Sequence, residues 1–339
     1  MNFITSVKKL IHQIQPNQKV FKRQYLYSTK SIRQFSWDDT AKVVRFLNEA
    51  SGSMGTEKEV SESLFKDWHS MPGSNPIEDC FISIDETDKK SINGFIHFIS
   101  EPTIDRIVAI QTVKPHTNRR KTTTDFEQLT RQYQGNRDLK FMHIQIARSD
   151  PEWSRTLNDG GWIKVKEYMN LRCDPSDTLN FPEYSLPEKF SIAPLDPEIE
   201  LSEFTKLQNE AFGEHWGFSP NTEEEISKRI SMERSGEEGI LVIKENNKLA
   251  GYNWTLFASN GFESTGWVSM TGVAPEFRGM RLGRAVVTAG MNYLIGKNVG
   301  AIELEVDSEN LPARQLYASL GFKMISETEW YQLTSRNIS

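Results

Sequence analysis

Several chemistries have little to work with in this chain of 339 residues. It holds two cysteines, Cys80 and Cys173, and neither lies in a C-x-x-C pair. A disulfide framework is therefore excluded, and both are expected as reduced thiols. None of the six histidines (His12, His69, His97, His116, His143 and His215) forms an H-x-x-x-H or H-E-x-x-H pair. A zinc hydrolase has no motif here, and no metal is expected. No apolar run reaches the length of a spanning helix, so no membrane partner is expected. Excess positive charge is also missing: the net charge of -6 speaks against a broad nucleic-acid surface. Acids, in turn, are missing from residues 1–37.

What is present suits ordinary folded cores. Hydrophobic residues make up 37% and charged residues 25%, and the length suits two domains of about 150 residues each. The acid-free start carries Lys8, Lys9, Lys19, Lys22, Arg23 and Lys30. Without those six positive charges the net charge falls from -6 to -12. Phe3, Ile4, Val7, Leu10, Ile11 and Ile14 share one helical face there, with Lys8 and Lys9 off it. A basic amphipathic helix resembles a mitochondrial targeting segment. Residues 1–30 are read as such a segment or as a disordered tail, with the mitochondrial matrix as the expected location and the cytoplasm as the alternative.

The remainder repeats itself. Ser31-Ile32 recurs as Ser191-Ile192, Val113-x-Pro115 as Val273-x-Pro275, and Gly161-Trp162 as Gly321-Phe322, each 160 residues on. A shared offset at the start, middle and end predicts two copies of one fold. They are placed at residues 31–175 and 190–339, joined by a proline-bearing linker, 176–189. In the second copy the hydrophobic spacing predicts helices over 201–212, 222–232, 282–293 and 313–320. Strands are expected at 190–193, 239–244, 249–257, 266–273 and 301–306, with two more after Gly321. In the first copy strands are expected near 80–84, 94–99, 107–113 and 140–147. The fold class is α/β (α+β), a mixed, mostly antiparallel sheet flanked by helices in each copy.

Two segments of the second copy carry chemistry. The first runs Val273-Ala-Pro-Glu-Phe-Arg278-Gly279-Met280-Arg281-Leu282-Gly283-Arg284, from a strand end into a helix start. Helix N-termini present unpaired N–H groups and partial positive charge, which stabilise an anion such as a pyrophosphate. Gly279 and Gly283 permit close approach of the backbone, and three arginines add charge. The second runs Asn310-Leu-Pro-Ala313-Arg-Gln-Leu316-Tyr317-Ala-Ser-Leu320-Gly321-Phe322. Together, V-x-P-x-x-R-G-x-x-L-G and N-x-x-A-x-x-L-Y-x-x-L-G-F resemble the acetyl-CoA-binding core of the Gcn5-related N-acetyltransferase (GNAT) superfamily. Two copies in one chain, with Ala211-Phe212-Gly-Glu-His215-Trp216-Gly217-Phe218, look most like its tandem, mycothiol-synthase-like branch. The superfamily often has glycine where Arg281 stands.

The resemblance implies an acetyl-CoA-dependent N-acetyltransferase acting on an amine of a small molecule or peptide. It implies that Gly272, Val273, Arg278, Gly279, Met280, Arg281, Leu282, Gly283, Arg284 and Asn310 bind acetyl-CoA. Gly272 is the expected place for a bulge or close approach in the splayed strand. Tyr317 matches the general acid that protonates the leaving thiolate; by spacing alone it reads as a core aromatic. Glu303, Glu305 and Asp307 share one strand face, and Glu305 is the candidate base, with water alone as the alternative. His215 and Trp216 are expected to line the acceptor site. A non-catalytic acyl-CoA-binding module and an aminoacyl-transfer protein of the same fold are the competing readings. In the first copy the loop glycines become Arg119 and Thr123, Tyr317 becomes Leu157 and Asn310 becomes Asp150. That copy is expected to be structural and to shape the acceptor cleft. The oligomeric state and the acceptor stay open.

Overall fold

The computed structural model describes residues 31–53, 60–115, 119–175, 186–232, 237–257 and 265–335. The basic segment 1–30 and most of the expected linker lie outside the described residues.

The first half runs β1 (Ile32–Gln34), α1 (Thr40–Ser53), α2 (Glu62–His69), β2 (Cys80–Ile84), β3 (Ile92–Glu101), β4 (Arg106–Val113), α3 (Arg119–Gly135), β5 (Phe141–Ala147), α4 (Pro151–Asp159) and β6 (Ile163–Cys173). The second repeats that order as β7 (Phe190–Pro194), α5 (Pro197–Phe212), α6 (Glu223–Ile230), β8 (Ile240–Glu245), β9 (Lys248–Phe257), β10 (Thr265–Val273), α7 (Leu282–Gly296), β11 (Ala301–Asp307), α8 (Leu311–Ser319) and β12 (Lys323–Thr334). Local chemistry starts the helices. Asp196 accepts from the Glu198 N–H ahead of Pro197, and Thr222 and Glu225 close a capping box on α6. Leu282, Ala285, Val286 and Ala289 bury one face of α7 against the sheet.

All twelve strands form one sheet, in the order β1-β2-β3-β4-β5-β12-β6-β11-β10-β9-β8-β7. Each half lends its last strand to the other. β6 pairs antiparallel with β11 from Ile302↔Cys173 to Asp307↔Tyr168. β12 pairs with β5 from Thr328↔Ala147 to Thr334↔Phe141, and the two exchanged strands pair with each other. Where two strands were expected after Gly321, β12 is a single element, with register shifts at Met324/Ser326 and Trp330/Tyr331. A partner on each side gives it a continuous ladder, so no turn is needed. The central strands β5, β12, β6 and β11 thus place residues from both halves on one face.

Candidate active site

β10 and β11 are parallel neighbours for three residues only, Thr265↔Ala301, Gly266↔Ile302 and Trp267↔Glu303. Past that point β10 bulges between Val268 and Met270 while keeping β9 as its partner. The strands part, leaving two unpaired backbone edges, an arrangement an extended chain can enter as an added strand. The bulge lies at Ser269 rather than at Gly272. Gly272 instead makes the close approach: a Cβ there would sit 2.7 Å from Ala211 Cβ and 2.8 Å from Tyr252 Cε1. α5 therefore crosses directly over the end of β10. Val273 follows, partly buried, and Ala274 N–H donates to the Ala250 carbonyl at 2.9 Å.

The anion-binding geometry comes from the turn that β10 feeds. Gly279 has φ +82° and Arg281 φ +60°. The left-handed conformation at position 281 explains why glycine suits it, since a side chain there is strained. Arg281 caps α7 without a side-chain hydrogen bond, so the first amides of α7, at Leu282, Gly283 and Arg284, keep the electrostatics of an open N-terminus. Leu282 is buried and anchors the turn, while Met280 is exposed. Two of the three arginines bond to the protein. Arg278 donates to Glu214 Oε2 and to the Ala211 carbonyl, both at 3.2 Å, and Arg284 to Ser319 Oγ at 2.7 Å. The backbone amides of the turn offer donors for an anion. Replacing Gly279 with valine is expected to weaken acetyl-CoA binding about 5–30-fold, the equivalent of about 1–2 kcal/mol of left-handed strain. Calorimetric titration measures this, and an unchanged affinity would remove the turn from the binding site.

Tyr317 lies on α8, buried to 9% exposure, with its ring edge-on to Phe322 at 5.7 Å between centroids. Burial pushes the pKa of its hydroxyl above the usual phenol value, and the Thr271 side chain on β10 partly offsets this. Asn253 Nδ2 donates to Thr271 Oγ1 at 2.7 Å. That bond ties β9 to β10 beside the strand gap. Asn253 and Thr271 carried no sequence signal, because buried polar residues on strands match no motif. Asn310 caps α8, its Oδ1 accepting from Ala313 N–H at 3.1 Å. Its structural contact is therefore the helix start.

On the other side of the splay lies a cleft of about 590 Å³, lined by residues of both halves. Leu64, Trp68 and Gln145 come from the first, and Arg229, Trp254, Trp267, Met270, Glu303 and Glu305 from the second. Glu305 Oε1 accepts from Gln145 Nε2 at 2.7 Å and from Thr328 Oγ1 at 2.9 Å. Glu303 faces Arg172 at 3.5 Å, and Asp307 pairs with Lys166 at 3.0 Å. Of the three acids, Glu303 and Glu305 line the cleft. Arg229 brings a guanidinium whose buried Nε has no partner, and burial lowers its pKa. His215 and Trp216 are not among the lining residues. His215 is exposed, its ring 4.7 Å from Phe212, and partial burial lowers its pKa. Trp216 packs on His143 and Trp330, with centroids at 5.2 and 5.7 Å. It closes the α5–α6 connection onto the shared sheet instead.

The equivalent place in the first half is filled by the protein's own groups. β4 and β5 pair over Arg106↔Phe141 to Ala109↔Ile144 and then part, but Gln111 Nε2 spans the gap to the Gln145 carbonyl at 3.1 Å. Arg119 makes a two-pronged ion pair with Asp150, the cap of α4. Lys121 pairs with Asp125 at 2.7 Å, and Leu157 is fully buried. The comparison supports the fit of an acyl-CoA in the second half: the open edges, the amide turn and a buried phenol occur together only there among the described residues.

Comparison with known proteins agrees. Residues 201–322 match the acetyltransferase (GNAT) family. A mycothiol acetyltransferase of Arthrobacter sp. (strain FB24) is 29% identical over 165 residues, 48% of this chain and 51% of that protein. One from Stackebrandtia nassauensis is 31% identical over 128 residues, 37% of this chain and 42% of that protein. The chain thus spans about half the length of the curated relatives it matches. In fold, a tandem GNAT protein from the clavulanic acid biosynthesis pathway has a TM-score of 0.70 at 14% identity, covering 91% of this chain and 99% of that one. A GCN5-related N-acetyltransferase from Sphaerobacter thermophilus has a TM-score of 0.68 at 17% identity, covering 89% and 95%. Residues 201–322 are accordingly a domain of the acetyltransferase (GNAT) family, within a chain that has the tandem GNAT fold.

Proposed function

We propose that this protein transfers an acetyl group from acetyl-CoA to a primary amine, in the second half and with the first half as one wall of the acceptor site. The observation that carries this is the meeting of three features at one strand gap: the amide turn at 279–284, the Tyr317 phenol and a two-sided cleft bearing Glu305. Acetyl-CoA supplies the activated acyl group. The amides of the turn hold its pyrophosphate, and the open edges of β10 and β11 align its arm. A backbone N–H near Gly272 and Val273 stabilises the developing oxyanion. Glu305, oriented by Gln145 and Thr328, takes the proton of the attacking amine, directly or through water. Tyr317 gives its proton to the departing thiolate.

The cleft also suggests the acceptor. Trp68, Trp254 and Trp267 offer apolar walls, and Arg229 places an incompletely bonded cation opposite the acids. An amine with an apolar body and a carboxylate or phosphate group satisfies both. The test is CoA release from acetyl-CoA with matched amines that carry or lack the acidic group. Acidic acceptors are expected to be favoured, and Arg229→Met to abolish the preference by raising KM about tenfold or more. No turnover of any amine would sink the catalytic reading. Import into mitochondria through residues 1–30 rests on the sequence and belongs to the same proposal; imaging a fluorescent protein fused to that segment tests it.

A further inference from the structure

At the end of α2, the helix whose Leu64 and Trp68 line the cleft, three metal-ligating side chains meet inside the first half. Cys80 opens β2, and His97 lies directly opposite it on β3. Cross-strand partners share a sheet face, so both side chains project to the same side. His69, the last residue of α2, stacks its ring 3.9 Å from Phe65 and 4.6 Å from the His97 ring. One donor atom from each residue lies within 4.8 Å of the others. All three residues are buried, among Phe35, Phe65 and Phe95.

The hydrogen bonding at His69 decides what this group can do. His69 Nδ1 lies 2.8 Å from the Phe65 carbonyl. A carbonyl only accepts, so Nδ1 carries the proton and Nε2 presents its lone pair. That Nε2 is buried and has no hydrogen-bond partner. A bare buried acceptor is costly in a folded core. A backbone carbonyl fixing one nitrogen while the other stays free is the usual second-shell arrangement of a metal-binding histidine.

We propose that His69 Nε2, Cys80 Sγ and a ring nitrogen of His97 bind a thiolate-seeking metal ion, Zn²⁺ or Cu⁺, which clamps α2 onto β2 and β3. Two imidazoles and a thiolate suit both ions and exclude Mg²⁺ and Ca²⁺, which require oxygen. An ion about 2.0–2.3 Å from each donor brings the donors to roughly 3.5 Å of one another, a movement of about 1 Å at the helix end. Binding replaces the Cys80 S–H bond with a metal–sulfur bond and releases one proton to solvent. Cu⁺ leaves the buried site neutral with three ligands, whereas Zn²⁺ takes a further ligand such as water.

The test uses the full chain expressed in medium containing both zinc and copper, desalted and measured for bound metal. About one ion per chain is expected in the wild type and in Cys173→Ser, with a loss of at least about tenfold in Cys80→Ser and in His97→Gln. Which ion is retained distinguishes the two sources. Because those two variants remove core side chains, a second readout uses only the wild type and Cys173→Ser. Co²⁺ added after chelator treatment is expected to give a near-ultraviolet thiolate charge-transfer band in both. Absence of that band together with metal-free protein, or metal content unaffected by Cys80→Ser, overturns the proposal and leaves the three residues as core packing.

Discussion

Tyr317→Phe is expected to slow acetyl transfer by about 10²–10⁴-fold, the range of a lost general acid, while acetyl-CoA affinity is unchanged. The phenol ring fills a core site against Phe322, and phenylalanine keeps that packing. Only the proton donor is lost, and it matters as charge develops on sulfur. Burial raises the phenol pKa above its ordinary value. The hydroxyl therefore stays protonated through neutral and mildly basic pH, and its titration sets no limit on the rate there. Thr271→Val, which removes the hydroxyl that acts on the phenol, is expected to cost about tenfold. Leu157→Tyr restores nothing, because Gln111 and the Arg119–Asp150 pair already close the first half. Single-turnover rates are the proper measurement, since product release can mask the chemical step. Wild-type single-turnover rates in Tyr317→Phe would reduce Tyr317 to a packing residue.

Gly272→Ala is the second large effect, this time on stability. A methyl group at this position meets Ala211 Cβ at 2.7 Å and Tyr252 Cε1 at 2.8 Å. Ala211 is fixed on α5, and Tyr252 is fully buried. Neither atom is the far end of a flexible side chain, so the helix or the strand has to move. Overpacking of this kind costs about 1–3 kcal/mol, and each kcal/mol lowers Tm by roughly 2–4 °C in a chain of this order of size. The shift also displaces the strand that carries the proposed oxyanion donor, so activity should fall even at temperatures where the variant is folded. Thermal unfolding and turnover measured together separate the two effects. A variant with wild-type Tm would show that α5 yields without cost and that glycine is not required by packing.

Much of the active site could be read along the chain. The repeat, the strand-turn-helix at 273–284 and Tyr317 with its neighbours are local patterns, written in consecutive residues or at helical spacing. Arg281 illustrates how far such reading goes: its departure from glycine was visible, but the reason, a positive φ at the helix cap, required coordinates. Arg278 and Arg284 were read as phosphate ligands from charge and position. Their guanidinium groups bond to Glu214, Ala211 and Ser319, choices that depend on which helix end lies nearby. The role of Asn310 at the start of α8 likewise required coordinates.

By itself, the sequence determined the existence of two halves, through the repeat at 160 residues, and most of the order of elements in the second, because element order depends on short-range spacing and on residue types at turns. Tertiary structure alone decided the exchange of β6 and β12, which depends on competition between strand edges far apart in the chain. That exchange brings Gln145 onto Glu305 across 160 residues and makes the cleft a property of both halves. Pairing register likewise put Cys80 opposite His97, and the end of α2 delivered His69 to them. Their spacings of 11 and 17 residues match no ligand motif; only the sheet register and the crossing of the helix make them neighbours.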